Sequence, residues 1–269
     1  MLAIKNNLMA ANAARHLGTS YDALAKSVER LSSGLRINSA KDDAAGLAVR
    51  ELMRGEIATL QQGARNAQDG ISMLQTMEGA TATIDTALVR MKQLAEQAST
   101  GSYSSAQRTI MDYEFDEMAN EIDRIATSTA FNGMTMLDDS ATVTIRFGEE
   151  DDNITIAGSN LTKSGLSINA ADISSVSAAT SALATMDAAI STKDTARAKF
   201  GYKMNRLEST ISVLNNQVEN LMTAESRISD VDVATEMAAM TRNQVLAQAG
   251  VSMLAQANAI PQMALTLLR

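Results

Sequence analysis

Few residues in this chain have the type and spacing to do chemistry. His16 is the single histidine, so one chain cannot build a two-histidine metal site or a histidine relay. Its place on a helical N-terminal stretch suits a packing contact instead. The turn Glu149, Glu150, Asp151 and Asp152 offers carboxylates to a divalent cation, but its spacing fits no defined calcium loop and a solvated hairpin tip accounts for it. Asp42 and Asp43, in "AKDDAAG", sit where a helix should begin near residue 43, and acidic side chains there complement the helix dipole. Ser and Thr are abundant, yet none has a His or Lys base at a recognisable spacing. No glycine-rich phosphate loop occurs. The absence of cysteine excludes disulfides, zinc fingers and thiol catalysis. The residues therefore describe a protein that is not an enzyme, with no catalytic, metal or cofactor site.

Something else must position the side chains that remain, and the composition says what. Of 269 residues only 3% are aromatic, with no Trp, a single Pro at position 261 and 17 Met. Ala, Leu, Met, Gln, Ser and Asn suit long helices packed by small or unbranched side chains. The 23 basic residues face 31 acidic ones, for a net charge of -8, which disfavours nucleic acid and anionic lipid as partners. Residues 138–172 hold seven acidic and two basic side chains, so most of the excess negative charge lies mid-chain. The N-terminus "MLAIKNNLMAANAARHLG" lacks the pattern of a cleaved secretory signal.

Apolar residues recur in steps of four and three over most of the length. One series is Leu17, Tyr21, Leu24, Val28, Leu31 and Leu35. A second is Met53, Ile57, Leu60, Ala64, Ala67, Ile71, Leu74 and Met77, continuing through Ile84, Leu88, Met91 and Ala95; its two successive steps of three form a stammer. Others are Met111 to Ile125 and Phe200 to Ile228. Turn clusters break the pattern at 32–46, 99–105 and 131–140. The helix expected over 44–99 would reach roughly 80 Å, beyond what one globular core wraps, and implies a rod. Gly55, Gly63, Gly70 and Gly79 lie inside it and are tolerable where a neighbouring backbone comes close. Only "TVTIRF" and "NITIAG", at 142–147 and 153–158, read as strands, joined as a hairpin. The Ser-, Thr-, Asn- and Ala-rich stretch after the hairpin, up to about residue 180, is expected at the surface with little to bury.

Residues 243–268, "NQVLAQAGVSMLAQANAIPQMALTLL", carry no charge. Such a run could span a membrane, but its six Asn and Gln amides and Pro261 argue against hydrocarbon. Packing against one helix of its own chain would cover one face only. The remaining reading is a segment disordered in the free molecule that orders when many copies enclose it. Gln244, Gln248, Ser252 and Gln256 then form a narrow neutral stripe on an otherwise apolar helix. Residues 1–31 share this character, so the two termini are expected to pair as an antiparallel coiled coil.

The segments "LSSGLRINSAKDDAAGLAVRELMRGEI", "ARNAQDGISMLQTMEGA", "EIDRIATSTAFNGMTMLD" and "LNNQVENLMTAESRISDVDVATEMAAMTRNQVLAQAGVSMLAQANAIPQMALTLLR" closely resemble bacterial flagellin, the filament subunit of the flagellum, in a minimal form without the large variable outer domains. The resemblance implies a mainly α fold: a long antiparallel coiled-coil rod with a small β-hairpin and paired terminal helices. It assigns residues 1–43 to an inner-tube helix and spoke, 44–180 to outer-shell helices with the hairpin at about 142–158, 181–228 to a returning outer-shell helix, and 229–269 to the C-terminal inner-tube helix. It implies helical homopolymerisation for motility and an extracellular filament exported by the flagellar type III apparatus without a cleaved signal peptide. A flagellin chaperone, a filament cap and hook-junction proteins are the further partners implied, with no membrane or nucleic acid. The assembly contacts expected are Leu8, Leu17, Leu24, Val28, Leu31, Leu246, Leu254, Ile260, Leu265 and Leu268. Arg90, Leu94, Gln97 and Glu114 match the family's motif for a vertebrate Toll-like receptor, while Val89, Gln93 and Glu96 depart from it. The alternatives are a hook-filament junction protein of the same superfamily and a membrane-inserting effector.

Overall fold

In a computed structural model, residues 6–138, 141–148 and 152–267 are described, with side chains through Ile260. The chain order is α1 (Leu8–Ser33), α2 (Ala44–Ser99), α3 (Ser105–Ser128), β1 (Ala130–Phe131), β2 (Met134–Thr135), β3 (Thr142–Arg146), β4 (Asn153–Ala157), α4 (Val176–Ser229) and α5 (Val233–Leu267). The chain is mainly helical, as expected, and divides into two compact units: Met1–Ile57 with Asn220–Arg269, and Ala58–Glu219.

In the first unit, local signals set the ends of α1. The Asn7 side chain accepts from the Ala10 backbone N–H, and Gly34, at φ 73°, closes the helix in the left-handed conformation that glycine adopts without steric cost. The chain then bridges Leu35 to Asp230 in antiparallel fashion, with Arg36 N–H donating to Ser229 O at 2.6 Å. Ile37 is buried, and Arg50 donates to its carbonyl. Asp43 caps α2 by accepting from Gly46 N–H at 2.9 Å, as its position before the helix suggests. Asp42 does different work: it accepts from the Asn38 and Ser39 backbone and pairs with Lys26 of α1 at 2.6 Å. The Lys26 ammonium, aided by those backbone donors, lowers the Asp42 pKa to about 2.

In the second unit, α2 and α4 run antiparallel. Three ion pairs join them: Glu78 to Arg197, Asp85 to Lys193 and Lys92 to Asp187. Under these lies the core, where Ala67, Ile71, Leu74, Met77, Thr81, Ile84, Leu88, Met91, Ala95 and Ala98 of α2 follow the four-and-three spacing, stammer included. Thr81 is tolerated there because its hydroxyl donates to Met77 O at 2.8 Å. The β3–β4 hairpin pairs Thr142 with Ala157 through Arg146 with Asn153. Its Ile154 and Ile156 face inward while Thr155 faces out. The hairpin meets α2 at two glycines: a Cβ on Gly63 would overlap the Phe147 carbonyl, and one on Gly70 would crowd Ile145 and Leu207. Gly55 and Gly79 have no such neighbour within 4 Å, so close approach explains two of the four glycines only.

The stretch after the hairpin corrects an expectation. Instead of lying at the surface with little to bury, it places Leu161, Leu166, Ile168 and Ile173 in the core. Leu161 N–H donates to Leu137 O, and Lys163 and Ile173 N–H donate to Asp123 and Asp112 of α3. Between these four, Thr162 accepts from Gly165 N–H and Asp172 from Ser174 N–H; the apolar ones, spaced too irregularly for a strand or helix, plug the core singly.

Candidate assembly interface

The two terminal helices pair antiparallel within the first unit. Near one end Asn7 Nδ2 donates to Ala257 O at 2.8 Å, and near the other Arg30 reaches Glu236 at 3.5 Å. Between them Gly250 leaves room for Leu17, whose Cδ1 would stand 3.1 Å from a Cβ there. The fully buried residues of the two helices are small: Ser27, Ala247 and Ala257. Small seam residues let the helices approach closely but shield little of the larger side chains beside them. At the head of α5, Asp232 accepts from Ala234 N–H and Thr235, and those bonds to Thr235 and the backbone lower its pKa.

Of the expected contacts, Leu17, Leu24, Leu31, Leu254 and Ile260 are half-buried along this pair. Leu8, Val28 and Leu246 are exposed, at 67%, 50% and 50%. Leu265 lies on α5 with its side chain outside the described residues, and Leu268 lies outside them altogether. Met9, Met237, Val245, Val251 and Met253 add further exposed apolar surface. Met9 and Met237 were not singled out from the sequence, because neither belongs to the four-and-three series. Gln244, Gln248, Ser252 and Gln256 are all exposed, as one stripe requires. His16 is exposed beside a hollow shared by α1 and α5. Among the described residues no helix is long and apolar enough to cross a membrane.

The second candidate site lies on α2 and α3. Arg90 donates through Nε and Nη2 to Glu114 Oε1, at 2.8 and 2.6 Å, and Gln97 donates to Tyr103 Oη. These three side chains share an exposed face. Leu94 does not: it is 1% exposed and belongs to the core beneath.

Among the described residues no group of three or more acidic, histidine or cysteine side chains could hold a metal ion. Glu149, Glu150 and Asp151 lie outside the described residues. What this chain presents is apolar surface on two paired helices.

Comparison with known proteins places that geometry. The family model for the bacterial flagellin N-terminal helical region matches residues 4–142, and that for the C-terminal helical region matches residues 183–268. A flagellin of Halalkalibacterium halodurans is 43% identical over 99% of both chains. A flagellin of Bacillus subtilis is 39% identical, again over 99% of both. The crystal structure of Bacillus cereus flagellin superposes with a TM-score of 0.52 at 30% identity, over 60% of this chain and 94% of that one. The chain belongs to the bacterial flagellin family.

Proposed function

We propose that this chain is a structural subunit that polymerises helically into the flagellar filament and serves motility mechanically. One observation carries the reading: the α1–α5 pair buries a seam of Ser27, Ala247 and Ala257 and leaves Leu8, Val28, Val245, Leu246, Val251 and Met253 open to solvent. Burying a Val, Leu or Met contributes about 1.5–3 kcal/mol, and single small domains seldom leave a contiguous apolar face without a partner. Further copies of the chain are the partner that covers both helices at once.

On this reading the paired terminal helices line the inside of the tube and the second unit forms its outer shell. The extracellular location follows, with export unfolded through the flagellar apparatus and without a cleaved signal. A chaperone for the apolar C-terminal helix, a tip cap and hook-junction proteins complete the partners. The exposed Arg90, Gln97 and Glu114 face is where a Toll-like receptor would touch, with Leu94 supporting it from below. The role proposed is structural rather than catalytic.

Full-length identity to flagellins favours the filament subunit over a hook-junction protein. Seeded elongation followed by electron microscopy tests the reading. The wild-type chain should form filaments, and Leu246→Asp should remain a helical monomer. Normal filaments from Leu246→Asp, or flotation of the wild-type chain with liposomes instead of polymerisation, would overturn it.

A further inference from the structure

Among the described methionines, environments range from sealed to open. Met73, Met77, Met91, Met136 and Met186 are sealed in the second unit's core. Met9 on α1 and Met253 on α5 are 67% and 63% exposed. Those two belong to opposite helices and line the same hollow, together with Ala13, His16, Ala257 and Ile260. The remaining wall is apolar or small apart from His16, Asn12 and Gln256, so the large apolar side chains of the hollow are Met9, Met253 and Ile260.

We propose that Met9 and Met253 form an oxidation-sensitive site that controls entry of the monomer into the polymer, an inference that rests on the assembly reading above. Hydrogen peroxide is the oxidant class. The thioether sulfur attacks one peroxide oxygen, an S–O bond forms as the O–O bond breaks, sulfur loses two electrons, and the second oxygen leaves as water. The product sulfoxide is polar and chiral, and disrupts Met-rich apolar contacts. Dithiol-dependent methionine sulfoxide reductases reverse it, returning the thioether with a disulfide and water. In the assembled polymer a neighbouring copy covers both sulfurs, so the site is open before assembly and closed after it.

A modification-interference experiment tests this. Monomer is partially oxidised with hydrogen peroxide, elongated from filament seeds, and the filaments and leftover monomer are mapped separately by peptide mass spectrometry. Sulfoxide at Met9 and Met253 should be enriched about tenfold in the leftover monomer, while sulfoxide at Met222, exposed elsewhere, should divide evenly. Even division at all three positions overturns the proposal. The variant Met9→Leu/Met253→Leu, which conserves volume, should elongate at its untreated rate after peroxide; a loss as large as that of the wild type overturns it. Treatment of oxidised wild-type monomer with both sulfoxide reductases should restore elongation. An untreated wild-type chain that fails to elongate would sink the assembly reading itself, whereas normal elongation of fully oxidised chain sinks this inference alone.

Discussion

Lys193 Nζ lies 2.5 Å from Asp85 Oδ1, joining α4 to α2, with the lysine only 3% exposed. Asp194 adds a second carboxylate at 2.6 Å. Burial alone would depress the lysine pKa, but hydrogen bonds to Asp194 and Asp85 outweigh it and raise the value. The stabilisation is therefore full below the lysine's unfolded value and is lost only as pH climbs through the raised one. Asp85→Ala, which strands a buried charge on its remaining partner, should destabilise the chain by about 1–3 kcal/mol. Lys193→Met, which removes the charge and keeps the stem, should cost less than Asp85→Ala. Urea unfolding of both variants and their double mutant measures the pair.

Gly63 and Gly79 separate two reasons for a glycine in a helix. Gly63→Ala drives a methyl into the Phe147 carbonyl, and backbone cannot step aside as a flexible side chain can. A loss of about 2–4 kcal/mol is expected. Gly79→Ala meets open space and should gain about 0.5–1 kcal/mol from helix propensity. Thermal unfolding should move in opposite directions for the two.

Lys26→Met should release Asp42. Its carboxyl, now near pKa 2, should titrate closer to the ordinary value of about 3.9, as followed by carboxyl NMR. A depressed folded pKa contributes stability above the unfolded value that fades as pH falls through the folded one. The variant should accordingly unfold at higher pH on acidification than the wild type.

Leu161→Ala tests the segment that follows the hairpin. A side chain with no exposure replaced by alanine should cost about 2–5 kcal/mol. A cost below about 0.5 kcal/mol, read from chemical denaturation, would return this segment to the surface.

Asp112 has its pKa raised, first by burial and then by the neighbouring charges of Asp172 and Asp116. A carboxyl with a raised folded pKa favours the fold at low pH and withdraws that support as pH rises through the raised value. Asp112→Asn keeps an acceptor for Ile173 N–H and should leave stability at neutral pH unchanged or higher, with a weaker pH dependence above the ordinary aspartate value. Loss of stability at neutral pH would show that the charge itself is needed.

Helices and hairpin were legible because each rests on a repeating pattern: the α2 core positions from Ala67 to Ala98 and the alternation of Ile154, Thr155 and Ile156. Leu161, Leu166, Ile168 and Ile173 were not, since single apolar residues in a polar stretch carry no period, and their burial depends on α3 lying alongside. Leu94 illustrates the same limit at the receptor-like face. A matched motif gives residue types, but whether a helix position points outward depends on which neighbours pack against it. Met9 and Met253 show a further gap, because sharing one hollow across α1 and α5 is a matter of pairing register between chain ends more than 240 residues apart.

The polarity of the α2–α4 ion pairs fixes the alignment of the two helices. At seven-residue intervals α2 presents acid, acid, base: Glu78, Asp85, Lys92. Sliding α4 by one heptad toward Lys92 would bring Lys193 against it, and sliding it the other way would set Asp187 against Asp85. Each misalignment opposes like charges across the helix pair. Of these alignments of the antiparallel α2–α4 pair, the native one alone makes every rung attract.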